Sequence, residues 1–403
     1  MSEIAASWVF GSIFSDSMKE NVNLEAGSKY TYVNSAEGLA SLTDALSATS
    51  RVGLDTEADS LHHYFEKVCL IQLSFSGSNY VVDPLAGFPL TEFLEVLSRK
   101  VLILQGADYD LRMLKKSFEF RPKAPVFDTM LAAQVLGYEK IGLAALAERF
   151  CGVVLSKAGQ KSDWAQRPLS AKQLDYASDD TNYLEKIADA LALSLQESGR
   201  TDWHRECCER VIETSGLDGK NDAKEAWRIK GSSGLAPKEL VFVRELWKWR
   251  DEEAQRRDRP PFMILLNEDL IELARWRAGS PNELLHLRPK SMKRITGENL
   301  VRLERAIRIA ESLPLAEWPV TPERIRSREK QPSPEKVEAL LAACKTVAGE
   351  LKIEPCFLAS RATLTAVARY EPRSIERVME VSGMMHWQAG LMMPAILNVL
   401  GDA

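Results

Sequence analysis

Val52-Gly53-Leu54-Asp55-Thr56-Glu57-Ala58-Asp59 is an apolar run that breaks off into carboxylates. Val52 to Asp55 reads as a buried strand. Residues two apart on a strand project to one face, so Asp55 and Glu57 aim at the same point. Two converging carboxylates repel unless something cationic sits between them. Taken alone the triplet reads as a solvated strand end with a turn-forming Asp. Chemistry requires that other segments bring further groups to it.

Working outward, Tyr30 to Val33 reads as a short strand and Ala36 to Leu46 as a helix. Val68 to Phe75 is a second buried strand, Gly77 to Asn79 a turn, and Tyr80 to Asp83 the returning strand, necessarily antiparallel across so short a connection. Leu90 to Ser98 has helical spacing, Val101 to Gln105 is another apolar strand, and from Asp108 onward apolar spacings of three and four dominate. A meander followed by alternating helices predicts an α/β fold with a mixed sheet flanked by helices.

Two later segments offer carboxylates. Asp110 follows the strand Val101 to Leu104 at the opening of a helix, where an acidic residue is also an ordinary N-terminal cap, as is Asp108. Tyr176-Ala177-Ser178-Asp179-Asp180 lies in a helical run from Ala171 to Ala192. Tyr176 and Asp180 are four apart and share a helix face; Asp179, at spacing three, also neighbours Tyr176. Spacing leaves the choice between the two aspartates open.

Taken in order, the three segments resemble the three motifs of the DEDD exonuclease superfamily in its tyrosine-bearing subclass, and the RNase D family in particular. Asp55 and Glu57 match the first motif, Asp110 the second, Tyr176 and Asp180 the third, over roughly Tyr30 to Leu191. Val68 to Leu73, Asp128-Thr129 with Ala132, and Ser162-Asp163-Trp164 through Arg167-Pro168-Leu169 add to the likeness. Gln105 departs from it, standing where such proteins often have His; an amide can hydrogen-bond but cannot titrate. The resemblance implies an RNase H-like sheet of five to six strands. It also implies hydrolysis of RNA 3′ ends to nucleoside 5′-monophosphates with two divalent ions, Mg2+ or Mn2+, suited to all-oxygen ligands. Asp55, Glu57, Asp110 and Asp180 would hold the ions, and Tyr176 would orient the attacking water. A DNA 3′–5′ exonuclease would use the same five residues, and a non-catalytic RNA-binding protein could sit on the same fold.

Around this core, Tyr64, Lys67 and Gln105 are candidate substrate contacts. His62-His63, adjacent on an extended segment, point to opposite sides and read as surface or substrate-edge positions. Asp163, Trp164 and Arg167 read as scaffold.

At 403 residues the chain suits two or three domains of roughly 100 to 200 residues each. A Gly-, Ser- and Asp-rich stretch from about Thr214 to Gly234 marks a boundary, and a Pro- and charge-rich spacer runs from Pro314 to Pro334. The expected division is an N-terminal packing arm (1–28), an exonuclease domain (29–213) and two small all-α units (235–314 and 332–403). The first of these resembles the HRDC domain through Leu240 to Trp249, Arg250-Asp251, Arg256 to Pro261 and the leucines that follow; the second reads as a diverged repeat of its layout. Arg256, Arg257, Arg259, Lys290 and Lys293 are candidate phosphate contacts, set against interleaved Glu252, Glu253 and Asp258. Removing residues beyond about Gly234 is then expected to weaken RNA affinity more than turnover.

The net charge of −5 does not announce a nucleic-acid binder, but carboxylates that divalent ions neutralise account for part of it. Six scattered cysteines without CxxC pairs predict neither a disulfide frame nor a zinc site, and a reducing cytoplasm fits them. No stretch approaches the ~18 consecutive apolar residues of a membrane span. The partner expected is RNA, and the working unit a monomer.

Overall fold

The computed structural model describes residues 29–156, 159–216, 225–280, 289, 295–319 and 331–401. The arm at 1–28, and Lys290 and Lys293, lie outside the described residues.

Six strands form one mixed sheet: β1 (Thr31–Val33), β2 (Arg51–Ala58), β3 (Val68–Phe75), β4 (Ser78–Val82), β5 (Val101–Leu104) and β6 (Val126–Asp128), in the order β1-β4-β3-β2-β5-β6. β2, β3 and β4 pair antiparallel as the short turn demanded, and β5 and β6 continue the sheet parallel to β2. The sequence reading missed β6. Three residues after Pro125 are too few to display alternation, and their pairing with β5 is what makes them a strand.

Alternation along β2 divides the sheet's two faces. Val52 and Leu54 face α1 (Ala36–Ser47), α2 (Thr91–Ser98) and α3 (Asp108–Phe118) in one apolar layer with Leu73, Leu102 and Leu104. Gly53, Asp55 and Glu57 face the other way. Beyond β6 the chain forms α4 (Thr129–Val135), α5 (Leu143–Cys151), α6 (Ala171–Asn182), α7 (Leu184–Glu197) and α8 (Thr201–Ser215). The run read as one helix from Ala171 is two, parted at Tyr183. Gly53 permits this junction to sit on the sheet, since a Cβ there would come within 3.3 Å of Leu184 Cβ and of the Thr181 and Ser74 carbonyls.

The two helical units share a layout. α9 (Pro237–Arg257) ends on Asp258 in the left-handed region and is followed by the four-residue α10 (Pro261–Ile264); α11 (Asn267–Gly279) and α12 (Glu298–Ser312) complete the first unit. α13 (Pro334–Leu351) likewise ends on left-handed Lys352, then α14 (Pro355–Leu358), α15 (Arg361–Tyr370), α16 (Ile375–Ser382) and α17 (His386–Leu400).

Their packing differs. The first unit closes its own core from Leu240, Val243, Leu246, Trp249, Leu270, Leu303 and Ile307. The second has no separate core: Leu340, Leu364, Val367, Trp387 and Ile396 join Ala132, Leu146, Leu191 and Cys207 of the exonuclease region in one cluster. Trp387 stacks on Trp203 at 5.0 Å, and Arg200 donates to the Val135 carbonyl at 2.8 Å and the Leu351 carbonyl at 2.9 Å, joining the ends of α4 and α13. Gly137, at φ +79°, lies so close to the Lys352 carbonyl that any Cβ would overlap it. Removal of residues beyond Gly234 would therefore also uncover the apolar face of the exonuclease region that the second unit buries. All six cysteines are free, and among the described residues no helix is long and apolar enough to cross a membrane.

Candidate active site

Asp55 and Glu57 leave β2 on the face that α6 covers, and α6 delivers Tyr176 and Asp180 to the same place. The helix is set in register at both ends. Ser170 caps it by accepting from Gln173 N at 3.3 Å while Gln173 Oε1 accepts from Ser170 N at 3.0 Å, and near its end Ser74 Oγ of β3 bonds Thr181 Oγ1 at 2.7 Å. Carboxylate oxygens of Asp55, Glu57 and Asp180 then lie within 4.8 Å of one another. Tyr176 hydrogen-bonds Asp180, one helical turn on, and packs on buried Trp164 with ring centroids 6.1 Å apart. Asp179 is outside the cluster, which decides what spacing left open.

Asp110 arrives from the opposite face, in the first turn of α3. The turn before it is organised by buried Asp128 at the end of β6. Its Oδ1 accepts from Gly106 N at 3.0 Å and its Oδ2 from Ala107 N at 2.8 Å, while Oδ1 also caps α4 through Met130 N at 2.8 Å. Asp110 Oδ1 accepts from Thr56 N at 3.0 Å and Thr56 Oγ1 at 2.6 Å, so it grips β2 between Asp55 and Glu57. It stands a step behind the other three, yet its charge is felt by all of them.

Burial and mutual repulsion penalise four negative charges here. Burial first, then Asp110, Asp180 and Glu57, push the Asp55 carboxyl well above its ordinary range. Burial, Asp180 and Asp110 carry Glu57 up to about 9. Burial raises Asp110 to about 7 against the hydrogen bonds from Thr56, and raises Asp180 to about 7 against the bond from Tyr176. Burial and the neighbouring carboxylates also raise the Tyr176 phenol, which stays protonated at any physiological pH. An all-oxygen donor set this close, costly to charge when empty, fits hard divalent cations, whose charge reverses the penalty.

The other sequence candidates are engaged by protein partners. Lys67 Nζ bonds buried Asp59 at 2.6 Å. Gln105 donates from Nε2 to the Ile141 carbonyl at 2.8 Å and accepts from Thr129 Oγ1 at 2.6 Å, tying β5 to the segments beyond it. Tyr64 OH donates to Asp251 at 2.9 Å, and Asp258 accepts from Tyr64 N at 3.1 Å and Phe65 N at 3.2 Å and pairs with His63 Nδ1 at 2.7 Å. That loop, directly after the carboxylate strand, is where the first helical unit docks. Arg256 and Arg257 converge with Arg302 on Glu253, whose side chain is 1% exposed. Exposed Arg259 reaches the His62 carbonyl at 3.4 Å. Arg167 grips Asp83 through Nε and Nη2, each at 2.7 Å, and the Trp164 carbonyl, a scaffold as its composition implied. Sequence reasoning gave no structural role to Thr56, Asp59 and Asp128; an Asp directly ahead of a helix start is the signal that could have found the last of them.

Comparisons with known proteins bear on this geometry. A family model described as 3′–5′ exonuclease matches residues 30–196, and the HRDC domain model matches residues 239–296. Ribonuclease D of Pseudomonas paraeruginosa is 30% identical over 365 residues, 87% of this chain and 92% of that protein. Ribonuclease D of Xanthomonas oryzae pv. oryzae is 34% identical over 253 residues, 60% of this chain and 68% of that protein. Among solved structures, Escherichia coli RNase D, described as an exoribonuclease involved in structured RNA processing, superposes with a TM-score of 0.70 at 25% identity, covering 93% of this chain and 99% of its own. A protein from Bifidobacterium adolescentis shares the fold at TM-score 0.77 and 22% identity, covering 93% and 97%.

Proposed function

The chain belongs to the ribonuclease D family and is a hydrolytic 3′–5′ exoribonuclease, and from that premise we propose that Asp55, Glu57, Asp110, Asp180 and Tyr176 are the residues that carry the reaction. The observation that carries the proposal is the convergence of the Asp55, Glu57 and Asp180 oxygens within 4.8 Å, with Asp110 held on the intervening residue Thr56.

Asp55, Glu57 and Asp180 would hold divalent cations, Mg2+ or Mn2+, and Asp110 would support the site from β2's other face. When bound, a pair of such ions would supply Lewis acidity for activating a water and for stabilising the leaving 3′-oxygen. Tyr176 donates from a phenol that does not ionise, so its part is to orient the water and not to take its proton. Its bond to Asp180 keeps the hydroxyl at the cluster's edge. Trp164 behind its ring limits where the phenol can swing.

The substrate in this reading is the 3′ end of RNA, structured RNA such as a tRNA precursor, processed in the cytoplasm. One chain supplies all five residues, so a monomer suffices. Among the described residues, Arg259 is the candidate phosphate contact whose one partner is a carbonyl. The test is incubation of the purified protein with 3′-labelled RNA and matched DNA in Mg2+, Mn2+ or EDTA. Mononucleotide release from RNA with metal, absent in EDTA and in Asp55→Ala, is the expected result. Equal release from DNA would shift the substrate assignment, and metal-independent release would remove the mechanism.

A further inference from the structure

Gln72 lies in the middle of β3, wholly buried, and neither its Oε1 nor its Nε2 has a hydrogen-bond partner. Buried primary amides ordinarily find partners, because an unmatched one forfeits its hydration for nothing. The rest of β3, Val68 to Phe75, is apolar or, at Ser74, bonded to α6. An amide at this position is out of keeping with its strand unless it serves a neighbour.

Strand register identifies that neighbour. Gln72 stands directly opposite Asp55 in the antiparallel pairing of β2 with β3. Directly opposite residues share a face, with Cβ atoms about 4.5–5.5 Å apart. That face is the one under α6: Ser74, two residues along, reaches Thr181, and Leu70, two residues back, packs with Trp164 and Ala177. The amide is therefore enclosed beside the carboxylate cluster, on the side away from solvent.

Resting on the reading of Asp55 as a metal ligand, we infer that Gln72 is a positioning residue of the metal centre. On cation binding the facing Asp55 carboxylate comes within reach of the Gln72 amide nitrogen, which then donates to it and fixes the direction that carboxylate faces. A neutral donor suits this position, because it orients the carboxylate without cancelling the negative charge that draws the cations, as a Lys or Arg would. Such partners of ligating residues typically contribute about 10–100-fold in metal affinity.

The test replaces Gln72 by Met, similar in length and without polar hydrogen-bonding groups. Mn2+ binding is measured by calorimetry on the RNA-free full chain, and the melting temperature is measured in EDTA. Asp55→Asn is the control. The expected result is a Gln72→Met protein that melts in EDTA at or above the parent temperature but binds Mn2+ about 10–100-fold more weakly. Parent-like Mn2+ affinity in Gln72→Met, with binding lost in Asp55→Asn, overturns the role of Gln72 and leaves the metal centre standing. Parent-like affinity in both overturns the metal reading as well. Should Gln72→Met fail to fold, Gln72→Asn, which keeps the amide but withdraws it by one methylene, is titrated with the same outcomes.

Discussion

Tyr176 and the carboxylates it borders make separable predictions. The phenol is raised by burial and by Asp180, Glu57 and Asp55, so it remains a donor through the working pH range. Tyr176→Phe is expected to lower kcat by about 10²-fold with KM and Mn2+ affinity nearly unchanged, measured by steady-state kinetics on a short RNA. A matching loss of metal affinity would make the residue structural. The carboxylate cluster is costly to charge, with Glu57 near 9 and Asp110 and Asp180 near 7. Because cations need the ionised forms, their binding displaces protons, and apparent affinity should climb as pH rises from about 6 to about 9. Calorimetry of Mn2+ binding in buffers of different ionisation enthalpy reads the released protons directly; a heat independent of buffer would contradict the shifts. Of these residues the five in the motifs could be proposed from sequence because the resemblance selected among positions that spacing left open. Thr56 and Gln72 could not, since their roles exist only once β2, β3 and α3 are assembled.

At the scale of elements, α9 shows how a spacing can be read two ways. Arg256 and Arg257 look like phosphate contacts by composition, but they stand three and four residues after Glu253, the spacing of an intrahelical ion pair. Burial works against the Glu253 charge, and the bonds from Arg256, Arg302 and Arg257 outweigh it, holding the carboxyl down at about 2. A group depressed on folding adds stability above its unfolded pKa, near 4.5, that is lost as pH falls towards 2. Glu253→Gln should therefore destabilise the first helical unit on the order of 1–3 kcal/mol at neutral pH, with a smaller gap from the parent at a pH of about 3. Urea unfolding at the two pH values checks this; a gap unchanged with pH would contradict it. The starts of α13 and α15 are legible in the sequence, because Ser333 with Pro334 and Ser360 mark them as capped first turns. β6 and the break at Tyr183 are not, since one depends on pairing and the other on contact with Gly53.

Across the whole molecule the two helical units play unequal parts, which their shared layout conceals in the sequence. The second is continuous with the catalytic core through Trp203, Trp387 and Arg200, whereas the first has its own core and meets the exonuclease domain at the loop after β2. Trp387→Ala should cost about 3–5 kcal/mol and depress activity through lost folding, seen as a lower melting temperature of the exonuclease domain itself. An unchanged melting transition would mean the second unit is separable after all. The most direct test of the metal-dependent site is an anomalous difference map from crystals soaked in Mn2+. Two peaks bounded by Asp55, Glu57 and Asp180, with Asp110 on the flank, are predicted. An empty cluster, or Mn2+ bound only elsewhere, would contradict it.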